Sequence, residues 1–153
     1  MAADAWIRYN GFSEYLGDGT IDMDNDTFKM QLHTSTYTPA VTHDVLTDLT
    51  NEVANGNGYT TGGVTLSGVT WTRSTTTVTF DATDAQWTAS GGSIVARYAV
   101  IYDDTPSGTP TDPLVAYSLL DDTPADVTVA DGNTLTIAFH ANGILTLTGG
   151  QTG

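Results

Sequence analysis

The chain has 153 residues, enough for one domain that buries roughly two-thirds of the surface its unfolded form exposes. Eighteen acidic residues stand against four basic ones, a formal charge of -14, which repels phosphate backbones and sets aside nucleic acid as a partner. Cysteine is absent, excluding disulfides and thiolate chemistry, and no apolar run approaches the roughly 18 residues that span a bilayer, so neither a membrane segment nor a secretion signal is expected.

In chain order, Ala5, Tyr9, Phe12 and Leu16 recur at helical spacing and Gly17 follows them. This pattern predicts a short helix over about 4–16 with Gly17 as its stop. Residues 1–19 therefore read as an N-terminal helical arm, ahead of a single β-sandwich domain over 20–153. From Ile21 the period changes to two: Phe28, Met30 and Leu32 alternate with Lys29, Gln31 and His33, as in a strand with one face in solvent. Further strands are predicted at Val64 to Ser67, Val69 to Arg73, Val78 to Phe80, Ile94 to Tyr102, Leu114 to Leu120, Val127 to Val129, Leu135 to His140 and Ile144 to Thr148. Threonine, the commonest residue, suits the solvent face of a pleated sheet.

Turn chemistry separates these runs, at Asn55-Gly56-Asn57-Gly58, Thr61-Gly62-Gly63, Ser90-Gly91-Gly92-Ser93, Asp131-Gly132-Asn133 and Asn142-Gly143. The expected fold class is all-β, an antiparallel β-sandwich of jelly-roll-like form with a short N-terminal helix. At the last turn, a three-residue loop with Gly143 in the left-handed position would pair Phe139 with Leu145 and Ile137 with Leu147, keeping both apolar sets on one face. Asp103-Asp104-Thr105-Pro106 recurs as Asp121-Asp122-Thr123-Pro124, and each copy is expected to end a strand, since proline cannot continue a central ladder.

Chemistry-bearing patterns are few. Asp22, Asp24 and Asp26 have the opening spacing of a calcium loop, but Thr27 stands where a Gly is needed and His33 where a bidentate Glu is needed. A solvated acidic turn, or a contact with basic residues of a partner, fits this segment better. The histidines His33, His43 and His140 carry no catalytic motif; His140 lies on the polar parity of its strand and reads as a surface residue. No nucleophile elbow, zinc motif or phosphate-binding loop is present, and neither cofactor nor metal is expected. Arg97, inside the apolar run Ile94 to Tyr102, needs an anionic partner, either an aspartate of this domain or a group across a subunit contact. Trp71 and Trp87 read as core fillers. A carbohydrate-binding module would need an exposed aromatic row, for which Trp6, Tyr37 and Tyr59 are the candidates.

Several blocks carry a resemblance. Glu14-Tyr15-Leu16-Gly17-Asp18-Gly19-Thr20-Ile21-Asp22, Phe28 to Ser35, Leu49 to Val53 with Gly58 to Gly63, Ala96 to Asp104 and Asn142 to Leu147, in this joint order, resemble a widespread family of small tailed-phage virion proteins. The resemblance covers nearly the whole chain. It implies an accessory virion component, capsid decoration or cement, without enzymatic activity; a tail, neck or head-fibre part with an adhesion or carbohydrate-binding role is the alternative. The implied partners are the major capsid protein and further copies of the chain, with a trimer as the first expectation, and the acidic bias favours the outer capsid surface over the DNA-facing side. The expected contact residues are Trp6, Tyr9, Phe12 and Tyr15 of the arm, Asp22, Asp24 and Asp26 of the acidic turn, and Arg97.

Overall fold

A computed structural model of the chain describes residues 3 and 5–149. The elements in order are β1 (Ile7–Arg8), α1 (Phe12–Asp18), β2 (Phe28–His33), β3 (Val64–Thr65), β4 (Thr70–Ser74), β5 (Thr77–Asp81), β6 (Ala85–Thr88), β7 (Ile94–Ala96), β8 (Tyr98–Asp103), β9 (Leu114–Leu119), β10 (Val127–Val129), β11 (Thr134–Ile137) and β12 (Leu145–Thr148), with a 3-10 turn at Leu46–Asp48. Pairing is antiparallel throughout these strands, and the all-β, sandwich-like architecture expected from the period-two runs is what the chain adopts.

One five-stranded sheet, in the order β1-β9-β8-β2-β3, forms the main layer. Facing it lie three smaller ladders: β12-β5-β4, β11-β6 and β10-β7. The apolar alternation of each strand explains the packing between them. Ala85 and Trp87 of β6, Leu135 and Ile137 of β11, and Ile94 and Ala96 of β7 turn inward, while Gln86, Thr88, Thr134 and Val95 turn out. The layers meet where Phe28 of β2 approaches Phe80 of β5, with ring centroids 5.3 Å apart. Threonines pair across strands on the outer face, Thr88 with Thr134 at 3.0 Å.

The five-stranded sheet is covered on its second face too. Ala99 and Ile101 of β8 enter the main core, while Val100 and Tyr102, of opposite parity, join Tyr9, Tyr37 and Leu114 in a separate apolar cluster. A bulge keeps both faces of β9 apolar: Ile101 pairs with Ala116 but Tyr102 with Leu114, leaving Val115 as the extra residue. The cover is the long connection 34–63, which places Leu46 and Leu49 against the cluster and is tied to β2 through Val53 N–H and the Leu32 carbonyl at 2.8 Å. Gln31 and His33 are therefore buried rather than solvent-facing, a correction to the half-exposed strand that alternation predicts. The second parity of β2 lies under a loop that periodicity within the strand does not reveal.

Three further expectations change. The helix covers only Phe12–Asp18; it runs through Gly17, and the left-handed residue that stops it is Gly19, with φ 81. Ahead of it, Ile7 and Arg8 are extended and pair with Tyr117 and Ala116, so these two residues of the expected helix over 4–16 form an edge strand instead; residue 4 lies outside the described residues. An edge of β9 with free hydrogen-bonding groups outweighs the intrinsic preference of so short a segment. At the last turn Gly143 is left-handed as expected, with φ 89, and its N–H meets the His140 carbonyl at 2.8 Å. The flanking strands nevertheless do not pair with each other: Ile137 lies opposite Ala85 and Leu145 opposite Phe80. The Asp84 carboxylate accepts the Phe139 N–H at 2.9 Å, where the β11 ladder ends, and the chain then crosses to the edge of β5. Finally, the run Ile94 to Tyr102 is two strands broken at Arg97, where the chain leaves the β10 ladder and enters the main sheet.

Candidate functional site

Tyr9 and Phe12, expected as contact residues, are interior. Phe12 is 0% exposed in the main core and Tyr9 is buried in the second cluster, its hydroxyl 3.2 Å from that of Tyr37. Neither side chain can meet a partner in the folded protein, because the segment 9–12 passes around the edge of the sheet and fills a core on each side. Trp6 and Tyr15 are half-buried. Trp6 packs on Phe139 at 5.9 Å, and the Tyr15 hydroxyl donates to the Asp44 carboxylate, a hydrogen bond that pushes the phenol up to about 12. Ile7, which the helical pattern left unassigned, is 47% exposed at the sheet edge, beside exposed Arg8. Trp6, Arg8, His140 and Ile144 line an open groove of about 450 Å³ next to this edge.

The acidic turn closes on itself. The Asp22 carboxylate accepts the Asp24 N–H at 3.0 Å and the Asn25 side-chain amide at 2.8 Å, and Asp26 accepts the Asp22 N–H at 2.7 Å. The hydrogen bond from Asn25, followed by that from Asp24, holds the Asp22 carboxyl below its usual range. Asp22 and Asp24 remain exposed, and among the described residues no three metal-ligating side chains gather in a set that could hold an ion. Asp103 and Asp121 repeat one local geometry at their strand ends, each accepting the N–H two residues on at 2.9 Å. Their surroundings differ: Asp121 is half-buried at the surface and Asp103 is 0% exposed.

Arg97 pairs within the domain, its Nε 2.8 Å from Asp126 Oδ1. Lys29 pairs with Asp104 at 2.9 Å. Both pairs are partly exposed, and replacing Arg97→Ala should lower stability by no more than about 1 kcal/mol, read by urea denaturation. A much larger loss would show that the guanidinium stem or a further partner holds the break between β7 and β8.

No protein-family model, curated protein or solved structure matches the chain.

The histidines are engaged structurally. His33 Nδ1 donates to the Thr50 carbonyl at 2.9 Å, Nε2 meets the Gln31 carboxamide at 3.1 Å, and the ring lies 4.7 Å from that of Tyr37. Burial lowers its pKa and favours the neutral ring. His43 Nδ1 lies 3.2 Å from the Tyr37 hydroxyl, and exposed His140 accepts the Asn142 N–H at 3.0 Å. Tyr37 and Tyr59 are both 2% exposed, so Trp6, Tyr37 and Tyr59 make no exposed aromatic row. Tyr59 is a structural bridge: its hydroxyl accepts the Leu32 N–H at 3.1 Å and donates to Glu52 at 2.7 Å. Trp87 is buried as expected, whereas Trp71 packs only partly against the core.

Of the expected contact residues, half-buried Trp6 stands beside exposed Ile7 and Arg8 at the sheet edge, and Asp22 and Asp24 are exposed in the acidic turn. Ile7 was missed because edge position depends on which strand lies beside it. Asp103 was missed despite a local signal. It continues the inward parity of Ala99 and Ile101, and an acid on that parity is an anomaly that the strand-end motif concealed.

Proposed function

We propose that the chain is a non-enzymatic structural component of a tailed-phage particle that decorates or cements the capsid, binding the major capsid protein at the outer surface and associating with copies of itself. The resemblance of the ordered blocks from Glu14 to Leu147 carries this reading. The charge distribution supports it. Lys29 and Arg97, two of only four cations, are spent on Asp104 and Asp126, so most of the eighteen acidic side chains depend on water or on a basic partner. His33 and Tyr59, buried and each hydrogen-bonded to other groups of the domain, also fit a protein that works by binding. Area buried only in the assembled shell would stabilise it by mass action.

The contact surface in this reading is the β1 edge with the acidic turn. Replacing Ile7→Asp should leave the unfolding midpoint almost unchanged while reducing the occupancy of particles by the purified protein. Raising salt from about 50 to 500 mM should weaken binding severalfold, because exposed carboxylates act over a Debye length that shrinks from about 14 to 4 Å. Salt-insensitive occupancy would remove the acidic turn from the contact. Electron micrographs with a tagged chain test the location: label on the head supports decoration, and label on the tail or neck replaces it with the adhesion reading.

A further inference from the structure

The Asp22–Thr27 turn is fastened to the end of β8 at two points: Asp104 N–H donates to the Thr27 carbonyl at 2.8 Å and Thr27 N–H donates to Thr105 Oγ1 at 2.7 Å, and these bonds bring Asp26 beside Asp103. Asp103 is 0% exposed; its Oδ1 accepts the Thr105 N–H at 2.9 Å, and its Oδ2 has no donor among the described residues. Two neighbouring carboxylates, one wholly buried with an oxygen that meets no donor, are costly to keep charged together without a cation or a proton. Among the described residues, the charged groups around the pair supply no free cation. From β2, Lys29 is taken by Asp104; from the loop after β8 come Asp104 and Asp112, and from the turn itself Asp22 and Asp24, all acids.

We propose that Asp26 and Asp103 share one proton, and that this O–H···O bond is a pH-sensitive latch holding the acidic turn against the end of β8. Below neutrality the proton joins the carboxyl groups; as pH rises it is lost, two like charges face each other and the turn loosens from the sheet. Burial, with the Asp26 carboxyl opposite, pushes Asp103 up to about 7. Unfolded, the same side chain ionises near 3.9, so between about 4 and 7 the folded chain binds more protons and stability falls as pH rises, levelling off above that window. His33, lowered by burial, gives the opposite slope below about 6.5, but it is common to wild type and variants and cancels in their difference.

The test uses the full chain with Asp103→Asn and Asp26→Asn, in which an amide N–H can replace the shared proton. Carbon-13 NMR of the carboxyl groups should show Asp103 titrating near 7 in wild type. From about pH 5 to 8 the wild-type unfolding midpoint should fall relative to both variants, and exchange of the Thr27 and Asp104 amides, corrected for intrinsic base catalysis, should accelerate in wild type alone. Asp103 titrating in the ordinary carboxylate range, or parallel midpoints in all three proteins, overturns the latch. Should Asp103→Asn not fold, Asp26→Asn, at a half-exposed position, keeps the burial of Asp103 and removes only the shared proton, so Asp103 should titrate lower in it than in wild type, and an unchanged titration overturns the latch. Calcium chloride at about pH 8 supplies the last outcome: stabilisation of wild type but neither variant by millimolar calcium would make the pair a cation site and overturn the shared proton.

Discussion

Replacing Phe12→Ala should lower the stability of the protein by about 3–5 kcal/mol, a large part of the roughly 5–15 kcal/mol that holds a domain of this size together. Phe12 is fully buried in the main core, at the start of α1, where the chain has just rounded the edge of the five-stranded sheet. Three residues earlier Tyr9 enters the other core, bonded to Tyr37 and packed 5.2 Å from Tyr117. The segment is thus a plug in two apolar clusters, held by Tyr9 N–H to the Val115 carbonyl at 3.2 Å. Removing residues 1–16 should for the same reason yield a chain without the native fold rather than a folded domain lacking an arm. Urea denaturation of Phe12→Ala beside Ile7→Ala is the check. The exposed edge residue should cost about 0.5 kcal/mol or less, and equal losses at the two positions would contradict this account of the segment.

Gly63→Ala should cost about 2–4 kcal/mol, through two separable effects. Gly63 has φ 77, a left-handed conformation that an L side chain disfavours, and a Cβ placed there would press on the Met30 carbonyl in the central strand β2. Neither backbone can yield easily: Gly63 N–H is bonded to the Thr60 carbonyl at 2.9 Å, and Val64, the next residue, pairs with Met30. Gly62 separates the contributions. It too is left-handed, with φ 93, but a Cβ there would meet nothing closer than the Tyr102 hydroxyl at 3.7 Å. Gly62→Ala should therefore show only the backbone cost of about 1–2 kcal/mol. Thermal unfolding of the two variants measures the difference, and equal midpoints would mean that the loop relaxes away from β2 without loss.

How much was legible depended on the range of the interaction. Phe28 to His33, Val69 to Arg73, where the strand runs Thr70–Ser74, and Val127 to Val129 were readable as strands because alternation is written into consecutive residues. Gly143 was readable as left-handed because an Asn-Gly pair favours that geometry locally. Its hairpin was not, since a tight turn reverses the chain without choosing the next partner, and the free edge of β5 took Leu145. Ala85 to Thr88 offers one large apolar residue, Trp87, between Gln86 and Thr88, too weak an alternation to stand out, although it is one of the strands that cover the main sheet. Among the contact candidates, Asp22 and Asp24 are exposed as a charged turn should be, while Tyr9 and Phe12 were misassigned because an aromatic stripe reads alike whether it meets a partner or the chain's own core.

Asp103 shows the same division at a single residue. Its identity, its inward parity and its Asp-x-Thr turn are properties of the sequence, because strand periodicity and local side-chain hydrogen bonds act within a few residues. So are the acidic balance, the absence of cysteine and the all-β class. Tertiary structure decided what the sheet's second face is covered by, which strand lies at its edge and which carboxyl group stands opposite Asp103, since each joins segments far apart in the chain. The proton affinity of that carboxyl is set by the neighbours that folding brings to it, and alternation along one strand cannot specify them.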